Sequence, residues 1–114
     1  MSNVRNLFRF TSAEVSQIFR RARLRTMRNG LEFIIAPSSH DMGHLLVVTP
    51  RRTGNAPQRN RIRRRLKEIF YQQSLYKHRF DMIVLVKTEG INTPFELLQQ
   101  YMLEMFEHVT KKHT

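Results

Sequence analysis

The sequence predicts an α+β fold, a single two-layer α/β sandwich with elements in the order α-β-β-α-β-α. Three observations predict it. Apolar runs of strand length recur at residues 31–36, 44–49 and 81–87. Segments with helical apolar spacing stand before, between and after them. Each helical segment also opens on a residue suited to an N-cap.

The first element is the helix over residues 11–22, "TSAEVSQIFRRA". Thr11 and Glu14 have capping-box spacing, and Val15, Ile18, Phe19 and Ala22 share one face. "LEFIIA" (31–36) and "HLLVVT" (44–49) are strand-like, and the turn residues of "PSSHDMG" between them predict an antiparallel hairpin. Asn55 is a good N-cap for a helix starting at Ala56, with Pro57 in the first turn where its missing N–H costs little. Ile62, Leu66, Ile69 and Phe70 of that helix fall within one arc of about 100°. "DMIVLVK" (81–87) is continuously apolar, as an interior strand is. The last helix follows Thr93 as N-cap, Pro94 as its first residue and Glu96 closing a capping box. Its Phe95, Leu98, Met102, Met105 and Val109 form a stripe expected to pack on the sheet rather than to serve a partner. The helices are expected on one side of the sheet. No repeat, linker or low-complexity tract interrupts the chain, so residues 1–114 are expected to form a single domain.

Charge narrows the function. Twenty Lys and Arg against nine Asp and Glu give a net charge of +11 on 114 residues. Such an imbalance repels itself in a compact state unless a polyanion offsets it. Nucleic acid is the first candidate and an anionic membrane the second, disfavoured because no long or strongly amphipathic surface helix accompanies the charge. Cysteine is absent, which excludes disulfides, thiolate zinc sites and a Cys nucleophile. No apolar run reaches the length of a membrane span. The opening "MSNVRNLFRF" lacks the apolar core of a secretory signal, so a cytoplasmic location is expected.

The charge concentrates in residues 51–67, "RRTGNAPQRNRIRRRLK", with eight cations and no acid. Because the helix there has a defined apolar stripe, its cations have defined places. Arg59, Asn60, Arg63 and Lys67 lie along one flank, with Arg64 beyond them. Arg61 and Arg65 lie on the other, near Glu68. The pairs 59/63, 61/65 and 63/67 are like charges at i,i+4, each costing a few tenths of a kcal/mol in an isolated helix. A face meant for water would mix signs. Arginine forks bind phosphate oxygens bidentately and stack on bases, which suits RNA at least as well as DNA. The helix start, with its free N–H groups, favours a further phosphate beside Asn55–Gln58.

At these residues the sequence resembles the protein component of bacterial ribonuclease P. The likeness rests on Arg51-Arg52-Thr53-Gly54-Asn55-Ala56, then Arg59-Asn60-Arg61-Ile62-Arg63-Arg64, completed by Lys67-Glu68. It extends to the first helix, the expected hairpin, the "DMIV" strand and the closing helix. The resemblance implies a fold like the second domain of ribosomal protein S5, with a parallel strand pair joined by the basic helix in a left-handed crossover, against the usual right-handed rule. It further implies an endoribonuclease holoenzyme whose RNA performs the Mg2+-dependent hydrolysis. The protein would bind that catalytic RNA and hold the single-stranded 5′ leader of precursor tRNA in a cleft between helix and sheet. By position, Arg51, Arg52, Asn55, Arg59, Asn60, Arg61, Arg63, Arg64 and Lys67 would contact RNA, and Phe19 and Phe33 would line the leader cleft, stacking bases without reading sequence. No obligate protein partner and no metal held by the protein itself are implied. Val15 stands where the family often has Phe, Leu46 replaces a common Gly, and Thr49-Pro50 replaces a Val-Ser pair.

Two other readings compete. A self-sufficient metal nuclease would draw on His40, Asp41 and His44 of "HDMGH", yet these lie in a predicted turn, and the scattered acids supply no converging carboxylates for two-metal chemistry. A ribosomal protein or general RNA-binding chaperone would share the basic α+β shell and differ only in partner.

Overall fold

The computed structural model describes residues 7–112. Seven elements follow one another: α1 (Ser12–Arg21), β1 (Leu24–Arg28), β2 (Leu31–Pro37), β3 (Leu45–Val48), α2 (Ala56–Gln72), β4 (Phe80–Val86) and α3 (Phe95–Lys112). The four strands form one sheet in the order β1-β2-β4-β3. The α+β class is as expected, and the β3-α2-β4 unit provides the parallel pair that the family resemblance implies.

The strand pairing differs from the sequence expectation in one respect. Residues 31–36 and 44–49 do not form a hairpin, because β4 lies between them, antiparallel to β2 and parallel to β3. The hairpin is instead β1–β2, closed by Asn29 (φ 47°) and Gly30 (φ 78°). Two successive positive-φ residues give the turn whose twist suits a two-residue hairpin, and Asn-Gly is its preferred dipeptide. Gly30 is required twice over, since a Cβ there would also lie 2.4 Å from the Gly90 amide nitrogen. β1 escaped notice because three of its five residues, Arg25, Met27 and Arg28, are exposed, leaving almost no apolar period.

A second difference concerns the helices. Side chains alternate across a strand. Leu31, Phe33 and Ile35 of β2 therefore face one way, with Met82 and Val84 of β4, into a core shared with Ile62, Leu66, Ile69 and Phe70 of α2 and Leu98, Met102 and Met105 of α3. Ile34, Ala36 and Ile83 face the other way and meet Ile18 of α1. Thus α2 and α3 cover one face of the sheet, while α1 crosses the opposite face and covers only part of it. β4 is buried on both sides, which explains its unbroken apolar run. The stripe of α3 packs on the sheet as expected, with Leu98, Met102, Met105 and Val109 all buried. Thr93 does not cap α3. Its hydroxyl donates to the Gly90 carbonyl (2.8 Å), and the first helical bonds run from Leu97 and Leu98 N–H to Pro94 O.

Candidate nucleic-acid interface

The basic helix begins as the sequence dictates. Asn55 Oδ1 accepts from Gln58 N–H (2.9 Å) and Gln58 Oε1 accepts from Asn55 N–H (2.9 Å), a complete capping box. This changes the expectation of free amides. Two N–H groups of the turn are satisfied by the box and Pro57 has none, so Ala56 alone retains an amide without a protein acceptor. The Asn55 oxygen is engaged in the cap, and the residue itself is exposed. Upstream, Thr53 N–H and Oγ1–H both donate to Pro50 O (3.0 and 2.6 Å), tightening the turn that holds Arg51 and Arg52 exposed. Pro50 lies beyond β3, which ends at Val48. Gly54 is extended, and a Cβ there would sit 2.7 Å from Gln58 Oε1, displacing that side chain from the cap, and 3.0 Å from Ile91.

Ile62, Leu66, Ile69 and Phe70 are all buried, so α2 is fixed in rotation about its axis. Its cations then divide by what they touch. Arg59 donates from Nε to Gly54 O (3.2 Å) and is half-buried, folded back against the loop. Arg63 donates to Asn60 Oδ1 (3.1 Å), pre-orienting its fork on the exposed flank. Arg65 reaches the Thr93 carbonyl (3.3 Å) on the α3 side. The Lys67 ammonium lies 5.3 Å from the centroid of the Phe8 ring. Arg51, Arg52, Arg61 and Arg64 are exposed, and among the described residues their guanidinium groups have no hydrogen bond or ion pair. Among the described residues, no cation of α2 has a carboxylate within 4.0 Å; Glu68, its one acid, accepts from Gln72 instead (3.2 Å). The like-charge repulsion foreseen at i,i+4 is therefore uncompensated within the chain.

The two aromatics expected in a common cleft are on opposite faces of the sheet. Phe19 is 39% exposed on α1, with the Arg25 guanidinium 5.5 Å above its ring. Phe33 is 0% exposed, packed edge-on against Tyr101 within the α2–α3 core, so no base can stack on it. The sequence held a signal for this. Glu32 is the one polar residue of "LEFIIA", and alternation puts Phe33 on the face opposite to it. The partly open face carries Met27 and the half-buried Leu46, Val48 and Leu85. At its α1 end, Phe8, Phe10, Val15 and Leu46 line an open groove that the sequence reading missed. Lys67 reaches this groove through Phe8, linking the basic helix to the α1 side of the molecule.

The His40 and His44 rings of "HDMGH" pack edge-on with centroids 5.0 Å apart, and among the described residues no group of three or more metal-ligating side chains is found. His40 Nε2 pairs with Glu14 Oε2 (2.7 Å) and His44 Nδ1 with Asp81 Oδ1 (3.3 Å), while Asp41 points to solvent. Burial pushes the Asp81 carboxyl above its ordinary range, although the His44 N–H donates to it (2.8 Å). The Glu14 carboxyl is held low by the Thr11 N–H and then by His40. No helix among the described residues is long and apolar enough to cross a membrane.

A sequence model of the family described as Ribonuclease P matches residues 5–110. No curated protein matches the chain by sequence. Among solved structures, the Staphylococcus aureus RNase P protein superposes with a TM-score of 0.72 at 19% identity, covering 92% of this chain and 95% of that one. The Thermotoga maritima RNase P protein gives 0.71 at 18% identity, covering 89% and 96%.

Proposed function

The chain belongs to the ribonuclease P family, and we propose that within that endoribonuclease it is the subunit that docks the catalytic RNA on α2 and seats the 5′ leader of precursor tRNA on the α1 side of the sheet. The observation that carries this reading is the cation set of α2. Arg61 and Arg64 are exposed without partners, Arg63 is pre-oriented by Asn60, and no carboxylate of the described chain neutralises them. Ribose-phosphate oxygens supply the missing negative charge in the geometry guanidinium groups prefer. Arg51, Arg52, Arg59 and Lys67 extend the surface on either side, and the exposed Asn55 lies beside them.

For the leader, Phe19 offers a ring already faced by Arg25, on which a base would stack for about 1–3 kcal/mol. Phe33 has no part in this. The groove of Phe8, Phe10, Val15 and Leu46 provides the apolar floor, with Lys67 at its border to meet phosphates.

This chain's side chains supply no hydrolytic step. Glu14, Glu32, Asp81, Glu104 and Glu107 are engaged with protein cations, His side chains or amides, and do not converge. The Mg2+ that the reaction uses would be held by the RNA. The test adds purified protein to precursor tRNA, with and without a protein-free ribonuclease P RNA, at near-physiological Mg2+. Cleavage that requires the RNA and is stimulated by the protein is expected. Cleavage by the protein alone would make it a nuclease, and absence of stimulation would leave a ribosomal protein or RNA chaperone.

A further inference from the structure

A second cationic surface stands at the other end of the molecule. The register pairs Pro37 with Phe80 and Leu24 with Ile35, so β1 begins, β2 ends and β4 begins at one end of the sheet. α1 finishes there with Arg20 and Arg21, and the short turn after α2 delivers Lys77, His78 and Arg79 to the same place. An open depression at this end is walled by Arg23, His78 and Arg79 around Pro37 and Ser38, with no acid among its lining. A neighbouring depression shares Pro37 and contains Arg21 with Glu14 and Asp81. Both of those acids are already used, Glu14 by Thr11 N–H and His40, Asp81 by His44. Arg20, Arg21, Arg23, Lys77 and Arg79 are all exposed.

Arg79 carries a second, independent sign. Its backbone is left-handed (φ 63°, ψ 37°), a region that long side chains rarely occupy. Among the described residues, the other non-glycine positions at positive φ are Asn29 and Ser74, which are small and polar. Asn or Gly would suit the turn better. The Arg79 backbone is tied into the fold, its carbonyl accepting from Ser38 N–H (2.9 Å), but its guanidinium touches no acceptor of the protein. The fold therefore tolerates this side chain without using it. Arg20 and Arg21 complement the C-terminal dipole of α1, an account that does not reach Lys77 or Arg79.

We propose that Arg20, Arg21, Arg23, Lys77 and Arg79 form a second RNA-backbone contact, taken by a separate segment of the same RNA that docks on α2. The inference rests on the RNA-docking reading of α2 and extends it. α2 has 17 residues and so spans about 25 Å. The phosphates reached from this end are thus different from those held beside Asn55 and Arg61. Two separated basic faces would orient the protein on a large RNA, where one face alone leaves it free to pivot.

The experiment measures binding of the full chain to protein-free ribonuclease P RNA across a salt series, with backbone footprinting. Three proteins are compared: wild type, Arg21→Gln/Arg79→Asn, and Arg63→Gln/Arg64→Gln. Asn is chosen at position 79 because it accepts the left-handed backbone, so this variant should melt no lower than wild type. Loss of two phosphate contacts should reduce the log–log salt slope by about 1.4–1.8 in magnitude. Protection should vanish from nucleotides other than those lost with the α2 variant. Arg20→Gln/Lys77→Gln should repeat the effect without touching the turn. Wild-type affinity, slope and footprint in both end variants would overturn the proposal while leaving α2 docking intact. If the α2 variant also binds as wild type, the docking reading falls with it. End variants that bind RNA normally but lose adsorption to phosphatidylserine vesicles would assign the surface to a membrane and overturn the RNA contact.

Discussion

Helices α2 and α3 lie on the same face of the same sheet and have nearly equal length, 17 and 18 residues. Both bury an apolar stripe in one shared core. Their outward faces diverge. α3 mixes Glu96, Glu104 and Glu107 with Lys111, and pairs Lys111 with Glu107 at i,i+4 (3.3 Å) and Glu104 with Arg28 of β1 (3.3 Å). α2 has six cations, one acid and no ion pair. Docking to the sheet and facing the solvent are therefore separate demands on a helix. The stripe decides that each helix packs. The opposite face decides what each meets, and a face that repels itself is suited to a polyanion rather than to water.

The comparison breaks most directly by charge reversal. Arg61, Arg63 and Arg64 changed together to Glu should lower affinity for the catalytic RNA on the order of a thousandfold, at roughly 1.5 kcal/mol per lost charged contact. Glu104→Lys/Glu107→Lys on α3 should leave it unchanged, both read by filter binding. With about six phosphates engaged, wild type should show a log–log salt slope of roughly −4 to −5. A slope near −1, or equal losses from both helices, would erase the distinction. Next in size are the stripes. Ile62→Ala and Met102→Ala remove side chains that are 1% and 0% exposed, and each should cost roughly 2–5 kcal/mol in denaturant unfolding. The folded fraction of either should still bind RNA as wild type does.

Asn55→Ala should cost about 1 kcal/mol of stability through loss of the cap. Its effect on RNA affinity should be smaller than that of Arg64→Ala, because the Asn55 oxygen is engaged in the fold. The smallest effect belongs to the exposed pair on α3, where Glu107→Gln should shift unfolding by no more than about 0.5 kcal/mol. A larger shift would mean that α3 depends on its surface charges in a way α2 does not.

Legibility in the sequence followed the length over which a pattern repeats. α2 was readable in start, cap and buried face, and α1 in start and cap, since Thr11 and Asn55 cap as expected; of the face expected for α1 only Ile18 is buried, and Phe19 is exposed. β4 was readable because burial on both faces leaves no polar interruption. β1 was not, since an edge strand with three exposed residues offers no period to detect. The Phe33 assignment failed because a fully apolar run conceals which face meets the covered core, except through the single Glu32.

Residue spacing alone was enough for the type of every element but β1, for the rotation of the basic helix and for the excess of arginine on its exposed side. These are local properties, fixed by residue spacing and by the chemistry of single side chains. Long-range pairing was needed to bring β4 between β2 and β3, to part Phe19 and Phe33 to opposite faces, and to place Arg21 and Arg79 at one end of the sheet. Those are matters of strand pairing between residues far apart in the chain, and one strand placed differently exchanges neighbours without altering any local pattern.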